Sequence, residues 1–367
     1  MDASYKNALL DEIDVISKSS ISKICLRSIY FGGVTPSLTT LLELQDVMHS
    51  VCRLENAPFY LDEEGTETMI GIDPATFDLA YLVAVKEMGF NRISLSMQSF
   101  GDNLLATMGI VHRAADVYRS IGMIEQVFGE GTNYSIDLIS GMPGLTLVGW
   151  TETTLYKAPR LHPCPMQMSL YDLQVEKGTT FGKWYGDTED NVVLDIPRNN
   201  SPSHPALPSA EDSAFMYSYA SGYLRSRKYE HYEISSYSYR SDNGSHRSKH
   251  NQIYWQIGGQ WRAVGLGATN NVNGVRFARP RALSDYTKWT QGLKQNFIDS
   301  LPSQSTGDTR KPPWLYKEPK ANDDLTDEDD TILDVVMTRL RTSEGLDLEW
   351  TGWLIMTNMA KVTLTLK

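Results

Sequence analysis

From residue 26 to residue 175 short apolar β runs alternate with amphipathic helical stretches, and that alternation leaves few folds open. The pattern predicts strands over 26–31, 68–72, 92–97, 134–139 and 167–175. It predicts helices between them over 38–53, 76–88, 114–128 and 147–157, with Ser37 in position to cap the first. A βα unit repeating every 35 residues or so implies a parallel sheet, open or closed into a barrel. The unit recurs as structure, without an internal sequence repeat.

The pattern changes after residue 186. Residues 187–208 are rich in Pro, Asn, Asp and Ser and read as a linker or loop. Beyond them come a helix over 210–225 after Ser209, β runs over 230–236, 261–266 and 272–277, and a helix over 282–293. A polar stretch over 302–325 and a helix from Thr326, ended by Gly345, follow. The expected organisation is an α/β domain over 1–186, a linker over 187–208, and a smaller α+β domain over 209–367.

Composition narrows function by exclusion. A formal net charge of −11 argues against a general nucleic-acid binder, which needs a basic face. Three cysteines do not make a disulfide framework, and they are expected to be buried small apolar residues. No apolar run reaches the roughly 20 residues of a membrane helix, so no membrane span is expected. The N-terminus reads as neither signal nor transit peptide, which makes the chain cytoplasmic as written.

Ligands of such folds sit at the C-terminal ends of the strands. That rule selects Gly32, Gly33, Asp73, Gln98, Asp137 and the 141–144 turn. Asp137 lies inside an apolar strand, where its charge needs a partner. Taken singly, each also reads as a buried polar group satisfied by a neighbouring loop. As a set at successive strand ends they point to a pocket. A second segment, KHNQIYW at 249–255, offers His250 as an imidazole ligand beside Asn251, Tyr254 and Trp255. Those four residues also fit a loop cap and a packed aromatic core.

At these segments the chain resembles the HemN/HemW group of radical S-adenosylmethionine (SAM) proteins. IYFGGVTPS at 29–37 resembles that group's Gly-Gly-Gly-Thr-Pro turn, and NRISLSMQSF at 91–100 its Arg-x-Ser-x-Gly-x-Gln-Ser-Phe strand. DLISGMPGLT at 137–146, YDLQVEKGTTFG at 171–182 and YEHYEIS at 229–235 continue the series in order. HNQIYW at 250–255 matches the HNxxYW segment of HemW, with features closer to plant and algal forms. The resemblance implies a partial (β/α) TIM-like barrel followed by a smaller α+β domain. It implies a heme chaperone that hands heme to a membrane or respiratory protein, with SAM and a [4Fe–4S] cluster as family cofactors. Gly32, Gly33, Thr35, Gln98 and Asp137 would line the SAM-like pocket. His250, Asn251, Tyr254 and Trp255 would bind heme, with His250 on the iron and Arg247 and Lys249 facing the propionates.

The departures carry equal weight. The resemblance implies a Cys-x3-Cys-x2-Cys segment before the glycine turn, and Cys25, Cys52 and Cys164 do not supply it. Val34 replaces the third glycine, Gly71 the strand-end Glu, and Ile110 the Arg of Gly-Arg-x-His. Weak SAM binding and no cluster in this chain are therefore expected. A gene model missing its 5′ end and a degenerate copy both remain open, and the internal changes favour the second. A missing 5′ end would carry a mitochondrial or plastid transit peptide. An active coproporphyrinogen oxidase-like radical SAM enzyme is the alternative reading, and the HNQIYW segment favours the chaperone. Arg276, Arg279 and Arg281 read as a solvated basic cluster.

Overall fold

A computed structural model describes residues 2–19, 23–33, 35–62, 65–129, 131–185, 205–242, 244–272, 275–299 and 335–346. Its strands are β1 (Ile24–Leu26), β2 (Ser28–Phe31), β3 (Phe59–Leu61), β4 (Glu67–Ile72), β5 (Arg92–Gln98) and β6 (Tyr134–Ser140). They continue as β7 (Gln167–Asp172), β8 (Tyr229–Glu233), β9 (Ser236–Ser241), β10 (Gly244–Ser245), β11 (Thr269–Val272) and β12 (Val275–Ala278). The helices are α1 (Ala3–Ser19), α2 (Leu41–Met48), α3 (Leu79–Glu87), α4 (Asp102–Thr107) and α5 (Ala114–Phe128). After these come α6 (Leu147–Trp150), α7 (Thr180–Tyr185), α8 (Ala210–Ser226), α9 (Lys249–Trp255) and α10 (Leu283–Asp299). The described residues fall into two compact units that interleave along the chain. One draws on Met1–Ile29, Leu38–Glu67 and Lys249–Lys367, the other on Tyr30–Ser37 and Thr68–Ser248.

The second unit is built on the apolar runs. An eight-stranded sheet has the order β10-β9-β7-β6-β5-β4-β2, with β8 pairing β9 at the side. The β4-β5, β5-β6 and β6-β7 pairs are parallel, and β9 joins β7 antiparallel. Parallel strands covered on both faces need continuous apolar sequence. Ile70, Ile93, Leu95, Ile136 and Leu138 are accordingly sealed from solvent. Helices α3 and α5 pack together and bury Leu82, Val85, Val117, Ile121 and Ile124.

The structure adjusts several sequence expectations. The helix expected over 38–53 opens at Thr40, which forms a capping box with Glu43, and ends in a π-helical turn over His49–Arg53. Ser37 instead hydrogen-bonds Thr76 and accepts from the Asp73 N–H. The helix expected over 147–157 is the single turn α6 followed by a π-helical turn. The run at 230–236 is strand β8 as far as Glu233 and then the turn into β9, which joins the parallel sheet antiparallel. The run at 261–266 is not a strand, because only Trp261 bridges to Asn271. Residues 187–204 and 302–325 and the start at Thr326 lie outside the described residues, whereas 335–340 are helical.

Cys25 is exposed, against expectation, because β1 pairs only with β3 and that two-stranded sheet leaves its side chain uncovered. Cys52 is buried, its Sγ donates to the Met48 carbonyl, and burial pushes its thiol up to about 11. Cys164 is half-buried.

Helix α1, which the sequence pattern did not announce, carries the charge that organises the first unit. Glu12 is 1% exposed, and Arg279, at the end of β12, is 4% exposed. The Arg279 Nε donates to Glu12 Oε1 at 2.8 Å. Glu12 Oε2 accepts from the Tyr286 hydroxyl at 2.6 Å and the Gly265 N–H at 3.1 Å. Arg279 therefore leaves the solvated cluster expected for it, whereas Arg276 and Arg281 stay exposed. Removing one partner of a buried ion pair strands the other charge. Glu12→Ala is expected to cost about 3 kcal/mol or more in urea denaturation. Unchanged stability would remove Glu12 from this role.

Candidate functional site

The residues expected to line a pocket follow β2 (Gly32, Gly33, Thr35), end β5 (Gln98) and lie within β6 (Asp137) in the second unit. Gly33 adopts φ 101°, a conformation that favours glycine, and Thr35 follows at φ 49°. Val34 lies outside the described residues. The Tyr30 ring packs against Gly32, and a Cβ on Gly71 would stand 3.1 Å from the Tyr30 hydroxyl. Tyr30 thus fills the space beside the residue that the resemblance expects to be a carboxylate.

Gln98 owes its position to an extra residue in β5. Leu95 pairs Ile136 and Gln98 pairs Leu138, so three steps on β5 match two on β6. Such a bulge bends a strand and re-aims its side chains. Gln98 has φ 61°, a strained backbone for a non-glycine residue. Its Oε1 accepts from the Tyr171 hydroxyl at 2.6 Å, a partner the sequence reading did not select. Asp137, two residues after Ser135 on β6, is held by a side-chain hydrogen bond with Ser169, and burial pushes its carboxyl up to about 6.

The neighbouring charges are already engaged. His112, 1% exposed, sets Nδ1 3.2 Å from both Asp73 oxygens and Nε2 3.1 Å from the Met97 carbonyl. Both acceptors need an N–H, so the ring is an imidazolium. Burial lowers the His112 pKa, but the Asp73 and Met97 hydrogen bonds outweigh it and the net direction is up. Arg113 donates to the carbonyls of Ile110, Val111 and His112. Ile110 brings no cation to that loop.

The second constellation lies on α9 in the first unit. The His250 N–H donates to Glu67 Oε1 at 3.0 Å, and Lys249 Nζ donates to the Gly65 carbonyl at 2.6 Å. Residues one helical turn apart then meet in pairs. His250 Nε2 and the Tyr254 hydroxyl are 2.9 Å apart, with the rings edge to face at 5.0 Å. Trp255 Nε1 donates to Asn251 Oδ1 at 3.2 Å, and the Arg341 guanidinium covers the Trp255 ring at 4.4 Å. Tyr254 also meets Trp261 edge to face at 4.8 Å. All four α9 residues are partly exposed, so they are not a closed aromatic core. Burial pushes the His250 imidazole down to about 4, against the opposing charge of Glu67, so at neutral pH it is the uncharged form that ligates metals. Arg247, in the second unit, is bound to Glu230 and lies over Tyr232. Glu67, Trp261 and Arg341 escaped the sequence reading, since no local spacing ties them to HNQIYW.

Asp137 yields a pH-dependent expectation. A carboxyl with its folded pKa raised from 3.8 to about 6 stabilises least when ionised. Its contribution is full below its unfolded pKa, falls as pH rises toward about 6, and stays low above. Asp137→Asn is therefore expected to raise Tm near neutral pH and to leave it unchanged around pH 3 to 4 in thermal melts. An equal Tm near neutral pH would contradict this.

No protein-family model matches the chain. The chain is 36% identical over 268 residues to the heme chaperone HemW of Synechocystis, covering 72% of this chain and 57% of that protein. It is 30% identical over 273 residues to the heme chaperone HemW of Bacillus subtilis, covering 74% and 64%. Bos taurus radical S-adenosyl methionine domain-containing protein 1, mitochondrial, is 27% identical over 268 residues, covering 73% and 53%. The chain therefore spans between half and two thirds of the length of these curated relatives. Among solved structures, Escherichia coli coproporphyrinogen III oxidase HemN superposes with a TM-score of 0.61 at 17% identity, covering 80% of this chain and 64% of that one. The fold is thus the α/β partial barrel of the radical SAM type. On sequence and fold together, the chain belongs to the HemW family of the radical SAM superfamily.

Proposed function

We propose that this chain binds heme at α9 and passes it to an acceptor, a membrane or respiratory heme protein, as a heme chaperone does. The observation that carries this reading is His250: a neutral, partly exposed imidazole anchored through its backbone by Glu67 and flanked by Tyr254 and Trp255. Imidazole nitrogen is an axial ligand for heme iron, and aromatic rings suit a porphyrin face. Arg341, stacked on Trp255, is a cation close to that face and suits a propionate. Lys249 and Arg247 are already bonded to Gly65 and Glu230. No helix among the described residues is long and apolar enough to cross a membrane.

The family's other cofactors fit this chain less well. The amino and carboxylate groups of SAM need an acceptor and a cation. At the strand ends, Gly71 carries no carboxylate and Tyr30 stands over it, while Ile110 carries no charge and Arg113 is spent on carbonyls. Gly32, Gly33, Thr35, Gln98 and Asp137 would line what remains of a SAM-like pocket. Among the described residues no three His, Cys, Asp or Glu side chains form a metal-binding group, and Cys25, Cys52 and Cys164 differ widely in exposure. A [4Fe–4S] cluster would need thiolates other than these three.

Two measurements test this reading. In a hemin titration followed at the Soret band, His250→Ala is expected to weaken binding at least about tenfold, the loss of an iron ligand. An unchanged titration would refute the heme role of His250. Isothermal titration of the chain with SAM is expected to give no binding in the micromolar range, and micromolar affinity would overturn the account of the strand-end pocket.

A further inference from the structure

His250, the proposed iron ligand, lies within hydrogen-bond distance of the Tyr254 hydroxyl. An uncharged imidazole has one acceptor nitrogen, whose lone pair lies in the ring plane and serves either a hydrogen bond or a metal. His250 Nε2 lies 2.9 Å from the Tyr254 hydroxyl, a normal distance for an O–H···N bond. The near-perpendicular rings, at 86°, direct the edge of one toward the face of the other.

The phenol is held in that position by the rest of its unit. Its i, i+4 spacing on α9 brings it beside His250. On its other side, Trp261 packs at 4.8 Å with an interplanar angle of 79°. Trp261 is itself fixed, its Nε1 donating to the Thr269 carbonyl at 2.9 Å and its backbone exchanging two hydrogen bonds with Asn271. The β11-β12 ribbon thus sets Trp261, Trp261 sets the Tyr254 ring, and the ring sets its hydroxyl on His250.

Resting on the heme reading of α9, we propose that Tyr254 gates the His250 lone pair: its hydroxyl donates to Nε2 in the heme-free chain and turns away when iron is taken up. Tyr254 is a positioning residue and does not ligate the iron. Uptake would exchange the O–H···N bond for a bond from Nε2 to iron, and release would reverse the exchange. The gate lowers net affinity and shortens the stay of the cargo, which suits a protein that must give heme up.

The test is a hemin titration at the Soret band with the unmodified chain, Tyr254→Phe, His250→Ala and the double variant. Tyr254→Phe keeps the ring that packs on Trp261 and removes only the hydroxyl. It is expected to bind hemin about fivefold more tightly, the net worth of one hydrogen bond. The Soret maximum should not move, and the gain should vanish in the His250→Ala background. Transfer of heme from Tyr254→Phe to apomyoglobin should be correspondingly slower. A purely packing role predicts no gain, and ligation through the tyrosine oxygen predicts a loss with a shifted Soret band. Equal or weaker binding by Tyr254→Phe, with His250→Ala still impaired, would overturn the gate and leave the heme reading standing. Hemin binding untouched by His250→Ala would overturn both.

Discussion

The first unit depends on one buried ion pair. Glu12 on α1 and Arg279 after β12 are both sealed from water, so each is tolerable only because the other is present. The pair also recruits the Tyr286 hydroxyl from α10 and the Gly265 N–H, so α1, α10, the loop before β11 and the end of β12 meet at one carboxylate. Arg279 lies within 5.7 Å of the Phe277 and Trp289 rings, which cover the guanidinium. The consequence reaches the proposed heme segment. β12 pairs β11, Asn271 of β11 bridges to Trp261, and Trp261 packs on Tyr254 beside His250. Geometry at the imidazole is therefore tied to a carboxylate, Glu12, more than 200 residues earlier in the sequence.

The second unit treats buried charge in two ways. His112 and Asp73 answer each other, and the Met97 carbonyl completes the pattern by occupying the other ring nitrogen. That pair ties the end of β5 to the segment after β4 and is satisfied without a ligand. Asp137 has a hydroxyl from Ser169, and burial is the dominant influence on its carboxyl. A carboxyl kept in that state costs stability, and such costs concentrate where a fold keeps a pocket. The strained Gln98 backbone and its bulge sit beside it and carry the same signature. Gly71 and Ile110 bring no charge to these strand ends.

Period was the legible part of this fold. The five apolar runs between residues 26 and 172 appear as strands of one sheet, because strands buried on both faces write themselves as continuous apolar sequence. Helix starts were less legible, since Thr40 and Ser37 are both good caps and only the Ser37 contacts with Thr76 and Asp73 decide between them. Helix α1 was missed because its stripe includes a buried glutamate, which local pattern reads as a polar face. The candidate pocket residues were chosen as strand ends, and His250 through its segment. Glu67, Trp261 and Arg341 were not, because a contact across the chain leaves no spacing to read.

The imidazole of His250 shows why those hidden partners matter. A surface histidine would titrate close to physiological pH and lose its lone pair to a proton part of the time. Burial on α9 removes that competitor by pushing the ring down to about 4. In the proposed gate the Tyr254 hydroxyl is then the rival for the lone pair, and a hydrogen bond is a weaker and more readily reversed rival than a proton. A site intended to hold its ligand permanently gains nothing from such a neighbour. One intended to exchange it gains a partner that stabilises the empty state at every pH in the working range.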